Sequence, residues 1–203
     1  MTNQIFTIGH SNHSTEKFLN LLHLNGITAI ADVRSSPRTR VNQDFSQPFI
    51  ERVLREARIH YIFLGEELGA RSSDESCYEK GRVVYDRLSK QSIFQDALDR
   101  IEMDSEKFRI ALLCAEKEPL DCHRCILVSR HLTTRNLPVN HILADGSTET
   151  HQETIARLRH SLDLMNQRDM FNTDDDLTNM AYSLQEDKIA YEIPEDRTPD
   201  LVA

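Results

Sequence analysis

The densest run of reactive side chains is Cys114-Ala115-Glu116-Lys117-Glu118-Pro119-Leu120-Asp121-Cys122-His123-Arg124-Cys125. Cys114 ends an apolar run, and Cys122 stands where a helical pattern begins. A thiol at a helix start beside an arginine has its thiolate favoured and its pKa drawn down from about 8.5. Cys114 and Cys122 are therefore candidate nucleophiles, with Glu116, Asp32 and His10 as acid–base groups and His123 also in the candidate catalytic set. The plainer alternative makes Cys114 a small apolar residue closing a buried strand. Cys122 and Cys125 also have the C-x-x-C spacing of a dithiol pair, although no proline or aromatic residue brackets them. A further alternative gives Cys114, Cys122 and Cys125, with His123 or His10, to zinc or iron. Their spacing is not that of a common zinc finger or ribbon.

A second group is rich in arginine. Arg34, Arg38 and Arg40 follow Asp32 within one short loop. Guanidinium forks suit phosphate and carboxylate, so these three, with Ser11, Arg71 and Arg124, form the candidate anion-binding set. Against this stands an ion pair of Arg34 with Asp32 or Glu116, the other arginines being solvated. Asp32 is a general base or, preferably, an orienting acceptor for His10 or Arg34. His10 follows Gly9, which permits close backbone approach, and is either a base or ligand or a surface histidine. His13, His23, His60, His131, His151 and His160 read as solvated. The loop Gly65-Glu66-Glu67-Leu68-Gly69-Ala70-Arg71 lacks the ending of a phosphate loop but suits a lid.

The elements that must position these residues alternate between strand-like and helix-like patterns. Apolar runs at Gln4–Ile8, Ile27–Val33, Ile59–Leu64, Phe108–Cys114 and Val139–Leu143 predict five strands. Helices are expected from Ser14 to Gly26, from Pro48 to about Arg58, around Arg82–Leu88, over Phe94–Met103, Cys122–Thr134 and about Glu149–Met165. This order predicts a three-layer α/β fold, a mostly parallel sheet of about five strands with helices on both faces. Ligands of such sheets sit at the carboxyl ends of the strands. His10 and Ser11, Asp32 and Arg34, Cys114 and Glu116, and His141 and Asp145 all fall at strand ends, so the candidates converge on one sheet edge.

The chain has 203 residues, is 39% hydrophobic and carries a formal charge of −9. Residues 166–203 hold ten acidic and three basic residues, a net of −7, and residues 1–165 hold the other −2. The expectation is one domain over 1–165 followed by an acidic, partly disordered tail over 166–203. Leu177, Met180, Ala181 and Leu184 would let a short helix form in it. No run approaches the roughly 20 apolar residues of a membrane span. No signal peptide pattern opens the chain, and the four cysteines make no secreted disulfide framework. The expected location is cytoplasmic, with no membrane partner.

Several of these residues together resemble a known family. Thr7-Ile8-Gly9-His10-Ser11-Asn12, then Asp32-Val33-Arg34 with Pro37, Arg38 and Arg40, then Tyr61 with Leu64-Gly65 and Leu68-Gly69, and last Cys114-Ala115-Glu116 with Cys122-His123-Arg124, follow in the order of the bacterial domain of unknown function 488 family. The resemblance covers roughly residues 4–143. Cys77, Cys125 and the acidic tail lie outside its pattern. It implies an α/β protein without an established reaction. A fainter similarity to rhodanese-type sulfurtransferases rests on Asp32-Val33-Arg34 and Cys114. It is weakened by the eight positions separating Cys114 from Cys122 and by Glu116 and Glu118, which disfavour an anionic persulfide.

The functional expectation is an enzyme or binding protein, a hydrolase or transferase if catalytic, acting on a small anionic, phosphate-bearing ligand such as a nucleotide or nucleic-acid end. The alternatives are thiol or sulfur transfer, and a non-catalytic metal-binding or regulatory module. No cofactor is identified, zinc or iron being the metals the cysteines would suit. Tight non-specific DNA binding is not expected of a near-neutral domain.

Overall fold

A computed structural model of the chain describes residues 4–38, 43–164 and 173–194. Arg40 lies outside them. The sheet strands are β1 (Ile5–Gly9), β2 (Ala29–Asp32), β3 (His60–Phe63), β6 (Ile110–Cys114), β7 (Val139–Ile142) and β8 (Thr148–Thr150), and β4 (Tyr78–Glu79) with β5 (Arg82–Val83) makes a separate hairpin. The sheet order is β3-β2-β6-β1-β7-β8. All its pairings are parallel except β7 with β8. Every residue of β1, β2 and β6 is buried, as in a strand covered on both faces.

The pleat sorts side chains into two cores. Phe6, Ile8, Ile30, Ala111 and Leu113 face α1 (Thr15–Leu24) and α2 (Gln47–Glu56), which contribute Phe18, Leu22, Ile50 and Leu54. Ile5, Ala29, Ala31, Ile110, Leu112 and Cys114 face the opposite layer. That layer contains α5 (Ser92–Ser105), a π-helical turn over Arg124–Ser129 continued by α6 (Arg130–Thr134), α7 (His151–Ser161) and α8 (Asp174–Ile189). The three-layer α/β architecture is thus present. Ser14 caps α1 through the Lys17 amide, and Gly26, at φ +62°, ends it.

Three local expectations are corrected. The run from Arg82 opens as a strand, because Lys80 and Gly81 both have positive φ and form a tight two-residue hairpin turn. Only Tyr85–Ser89 is then helical, as α4. The loop after β3 begins with a turn of helix, α3 (Gly65–Leu68). A Cβ on Gly65 would lie 2.1 Å from the Arg34 carbonyl oxygen, so this glycine lets the loop pack against the β2 edge. The helix expected from Cys122 starts instead with the π turn, all six of whose residues are buried.

Within the acidic segment 166–203, α8 is a four-turn helix docked on the domain. Leu177, Ala181, Tyr182 and Gln185 are its buried residues, whereas Met180 and Leu184 are exposed. Half of the expected apolar stripe therefore points to solvent. Arg159 pairs with Asp174, Arg82 with Asp187 and Glu192, and the Gln185 side-chain amide donates to the Leu120 carbonyl at 2.9 Å. No helix among the described residues is long and apolar enough to cross a membrane.

Candidate active site

A cavity of about 220 Å³ opens beyond the carboxyl ends of β2 and β6, where Cys114, Glu116, Cys122 and His123 meet Arg34 and Arg71. A larger cavity of about 610 Å³ lies between α7 and α8 and contains none of the sequence candidates. We place the site at the smaller one because the reactive groups converge there.

The Sγ atoms of Cys114 and Cys122 lie 2.9 and 3.0 Å from the same oxygen, Oε2 of Glu116. His123 Nδ1 is 3.8 Å from the first sulfur and 3.9 Å from the second. Its Nε2 is 2.9 Å from the Val33 carbonyl oxygen. A carbonyl only accepts, so Nε2 carries a proton. In neutral imidazole the lone pair is then on Nδ1, facing both sulfurs. The backbone just beyond β2 thus fixes a histidine that is distant from it in sequence.

The electrostatics separate the two thiols. Burial pushes Cys114 up, and it remains well above the ordinary thiol range beside Cys122 and Glu116. Burial also acts against ionisation of Cys122, but a hydrogen bond from Cys114, the charge of Arg124 and the neighbouring His123 outweigh it and hold that thiol well below the ordinary range. The two thiols ionise as a pair, with loss of the proton favoured at Cys122 over Cys114. Burial, then the negative charge on Cys122, raises the Glu116 carboxyl. His123 is raised as well. Burial opposes its charge, and its hydrogen bond and attraction to Cys122 prevail.

Arg124 is fully buried. Its Nη1 donates to the Glu116 carbonyl at 2.7 Å, Nη2 to the Lys117 carbonyl at 3.3 Å, and Nε to Thr7 Oγ1 at 3.3 Å. It makes no ion pair with a carboxylate among the described residues. It holds the loop between the two cysteines and supplies the positive charge behind them, and its fork is occupied by that loop. Gly9 completes the support, since a Cβ there would stand 1.8 Å from the Glu116 carbonyl oxygen.

The other candidates are placed differently. Asp32 takes a two-pronged ion pair from Arg34, at 2.8 Å to Oδ1 and 2.6 Å to Oδ2, and accepts from the Tyr61 hydroxyl at 2.8 Å. The Arg34 Nη1 donates to the Phe45 carbonyl. Asp32 is thus the orienting acceptor of Arg34. His10 stacks on Phe45 at 4.4 Å between ring centroids, with Nδ1 on the Ser11 carbonyl, and burial lowers its pKa. Neither Asp32, His10 nor Ser11 lines the cysteine cavity. Arg38 is exposed away from it, whereas Arg71 lines it with its guanidinium 4.5 Å from the Tyr191 ring.

Cys125 turns away from Cys122 and lies 3.8 Å from His151 Nδ1. The close thiol pair is Cys114 with Cys122, and the C-x-x-C spacing is incidental. His141 and His151 form a second buried cluster. Thr7 Oγ1 contacts His141 Nδ1, His141 Nε2 contacts His151 Nδ1, and His151 Nε2 contacts the Tyr182 hydroxyl, at 2.8, 3.0 and 2.7 Å. His151 is therefore not solvated, because α8 closes over it. Asp145 caps its own turn through Ser147.

Sequence reasoning missed Tyr85, Ile189 and Tyr191, which also line the cavity. The Tyr85 hydroxyl is buried without a hydrogen-bond partner among the described residues. Tyr85 opens α4 and had read only as part of a helical pattern, and the two α8-side residues lie in the segment assigned to the tail.

A family model described as Domain of unknown function DUF488 matches residues 14–131. That range includes Arg34, Arg71 and Cys114 to His123, and excludes α8. No curated protein matches the chain, and no solved structure matches it.

Proposed function

Because the chain belongs to the family of domain of unknown function DUF488, a description that names no reaction, we propose from the cavity's geometry that it is an enzyme using Cys122 as nucleophile on a small, phosphate-bearing ligand. The observation that carries this reading is the placement of both sulfurs on one carboxylate oxygen with the lone pair of His123 facing them. Such a nucleophile–base contact, with the base oriented by a third group, is the recurring arrangement of covalent catalysis.

The residues divide the work. Cys122 Sγ, its proton already given up towards His123 Nδ1, forms the bond to the electrophilic atom of the ligand. The group displaced takes a proton from Glu116, whose carboxyl is shifted towards its protonated form by burial and the neighbouring Cys122. Cys114 donates to Cys122 and steadies its charge. Arg71 and the hydroxyls of Ser35 and Ser36 face the same cavity and suit the ligand's phosphate as a handle. Arg34 and Arg124 act on the protein itself, so among the described arginines lining the cavity Arg71 is the one left for the ligand.

Mass-spectrometric alkylation of the whole chain tests this. Cys122 is expected to react with iodoacetamide about tenfold faster than buried Cys77, and Arg71→Ala is expected to slow iodoacetate selectively. A Cys122 no faster than Cys77 overturns the reading. Addition of one sulfur atom to Cys122 by thiosulfate, with release of sulfite, would replace it with sulfur transfer.

A further inference from the structure

We infer that Cys114, Cys122 and His123 form a zinc site beside Glu116, and that the metal regulates the thiolate by binding it. The regulatory half rests on the nucleophile reading above, whereas the metal site stands on its own geometry. The three soft donor atoms, two sulfurs and Nδ1, all lie within 4.8 Å of one another. Bond lengths of about 2.3 Å to sulfur and 2.0–2.1 Å to nitrogen put the sulfur–nitrogen edges of a zinc tetrahedron at about 3.6 Å. The observed distances of 3.8 and 3.9 Å match such edges with small adjustment.

The histidine is prepared as a ligand. Its Nε2–H is engaged by the Val33 carbonyl, the outer hydrogen bond that metal-binding imidazoles characteristically make, and its free lone pair points at the sulfurs. Glu116 Oε2 touches both sulfurs, at distances set by shared protons. Zinc in place of those protons would be held by the two sulfurs and Nδ1, with the fourth position left to solvent beside the carboxylate. Each thiol that binds releases its proton to solvent, and no electron transfer is involved.

Charge supports the assignment. Two thiolates and a carboxylate carry −3, zinc +2, and buried Arg124, on the loop carbonyls behind them, +1. The sum is zero, so the loaded site leaves no uncompensated buried charge. Zinc is the class of metal indicated because two thiolates and an imidazole are soft-to-borderline donors that hold it tetrahedrally. With both sulfurs bound, one electron pair of Cys122 is engaged by the metal and its charge is partly neutralised, so its reactivity towards electrophiles falls.

Cobalt(II) titration of the reduced, full-length protein tests the site. The expected result is one equivalent of cobalt with a thiolate-to-metal charge-transfer band and the visible bands of tetrahedral cobalt, bleached by zinc. Cys125→Ser should retain the bands and Cys122→Ser should lose them. If Cys122→Ser fails to fold, thiol labelling of the wild-type chain replaces it, with one equivalent of zinc slowing alkylation of Cys122 and Cys114 at least about tenfold. Absence of the bands, or their loss in Cys125→Ser, which would move the metal to the Cys125–His141–His151 cluster, overturns the proposal. So does zinc that leaves the labelling of both thiols unchanged. Cobalt bands together with a Cys122 that is slow even without metal would retain the metal site and remove the nucleophile reading. The reverse pair of results would remove the metal and keep the nucleophile.

Discussion

Arg124 is fully buried and makes no ion pair with a carboxylate among the described residues, yet it remains charged because two loop carbonyls and the Cys122 sulfur face it. Replacing it removes the counter-charge of the thiolate and two carbonyl partners together. Arg124→Met is expected to destabilise the fold by about 3 kcal/mol, read from denaturant unfolding, as for other buried charges deprived of a partner. Tyr85 predicts the opposite sign. Its hydroxyl is buried and unpartnered beside the cysteines, so it already bears the cost of desolvation. Tyr85→Phe should leave stability unchanged or raise it by about 1 kcal/mol. If the phenol is kept to donate to a ligand oxygen, the same variant should weaken protection of Cys122 by phosphate esters in the labelling assay. A clear loss of stability in Tyr85→Phe would mean that the hydroxyl has a structural partner.

At the scale of elements, the site is a meeting of three strand ends and one irregular helix. β1 ends in Gly9 beneath the Glu116 carbonyl, β6 ends in Cys114, and the backbone just after β2 fixes His123 through Val33. The π turn then opens the helix where Arg124 needs to reach back to Thr7 and the loop. Such π turns interrupt α-helices often at functional positions. Gly9→Ala places a methyl group 1.8 Å from backbone, which a flexible side-chain tip cannot relieve. The variant is expected to lose about 3 kcal/mol of stability and to slow Cys122 labelling more than that of Cys77. Gly81→Ala is the contrasting case, having open space but positive φ, and should cost only the backbone strain of about 1 kcal/mol.

Across the whole molecule, α8 couples the acidic segment to the sheet. Its Tyr182 closes a buried chain that runs through His151 and His141 to Thr7, which also accepts from Arg124. Burial lowers His151 to about 4, and burial followed by repulsion from His151, Arg124 and Arg157 lowers His141 well below its ordinary value. Both are neutral in the fold near pH 7. As pH falls through about 6.5 the unfolded chain takes up protons that the folded one refuses, so stability declines from there to about pH 4. His151 alone accounts for a loss of about 3 kcal/mol at the lower end. Hydrogen exchange should show α8 losing protection over that window before β1 does, and His151→Gln should flatten the change. Equal loss in α8 and β1, with no effect of the substitution, would refute the coupling.

Apolar runs such as Ile110–Cys114 and Ile27–Val33 made the parallel strands legible, because strands buried on both faces have little freedom to be polar. The ordering of those runs placed Cys114 and Glu116 on the sheet's carboxyl edge, and the spacing of Cys114, Cys122, His123 and Arg124 marked the loop that carries the site. Which thiols face each other was not legible, since spacing offered Cys122 with Cys125 as a dithiol and gave no sign of a pair across eight positions, and only the course of the loop over Arg124 brings Cys114 and Cys122 to one oxygen. Nor could the arginines be sorted. Arg34 and Arg124 are consumed by partners set by packing, and Arg71 remains at the cavity. The charge pattern identified an acidic segment, but its helix buries Leu177 and Ala181 with Tyr182 and Gln185 and leaves Met180 and Leu184 exposed, and the segment gives the cavity Ile189 and Tyr191. Local sequence determines backbone pattern because burial and periodicity act within a few residues. Partnership among side chains far apart in the chain is a matter of packing, and there the tertiary structure alone decided.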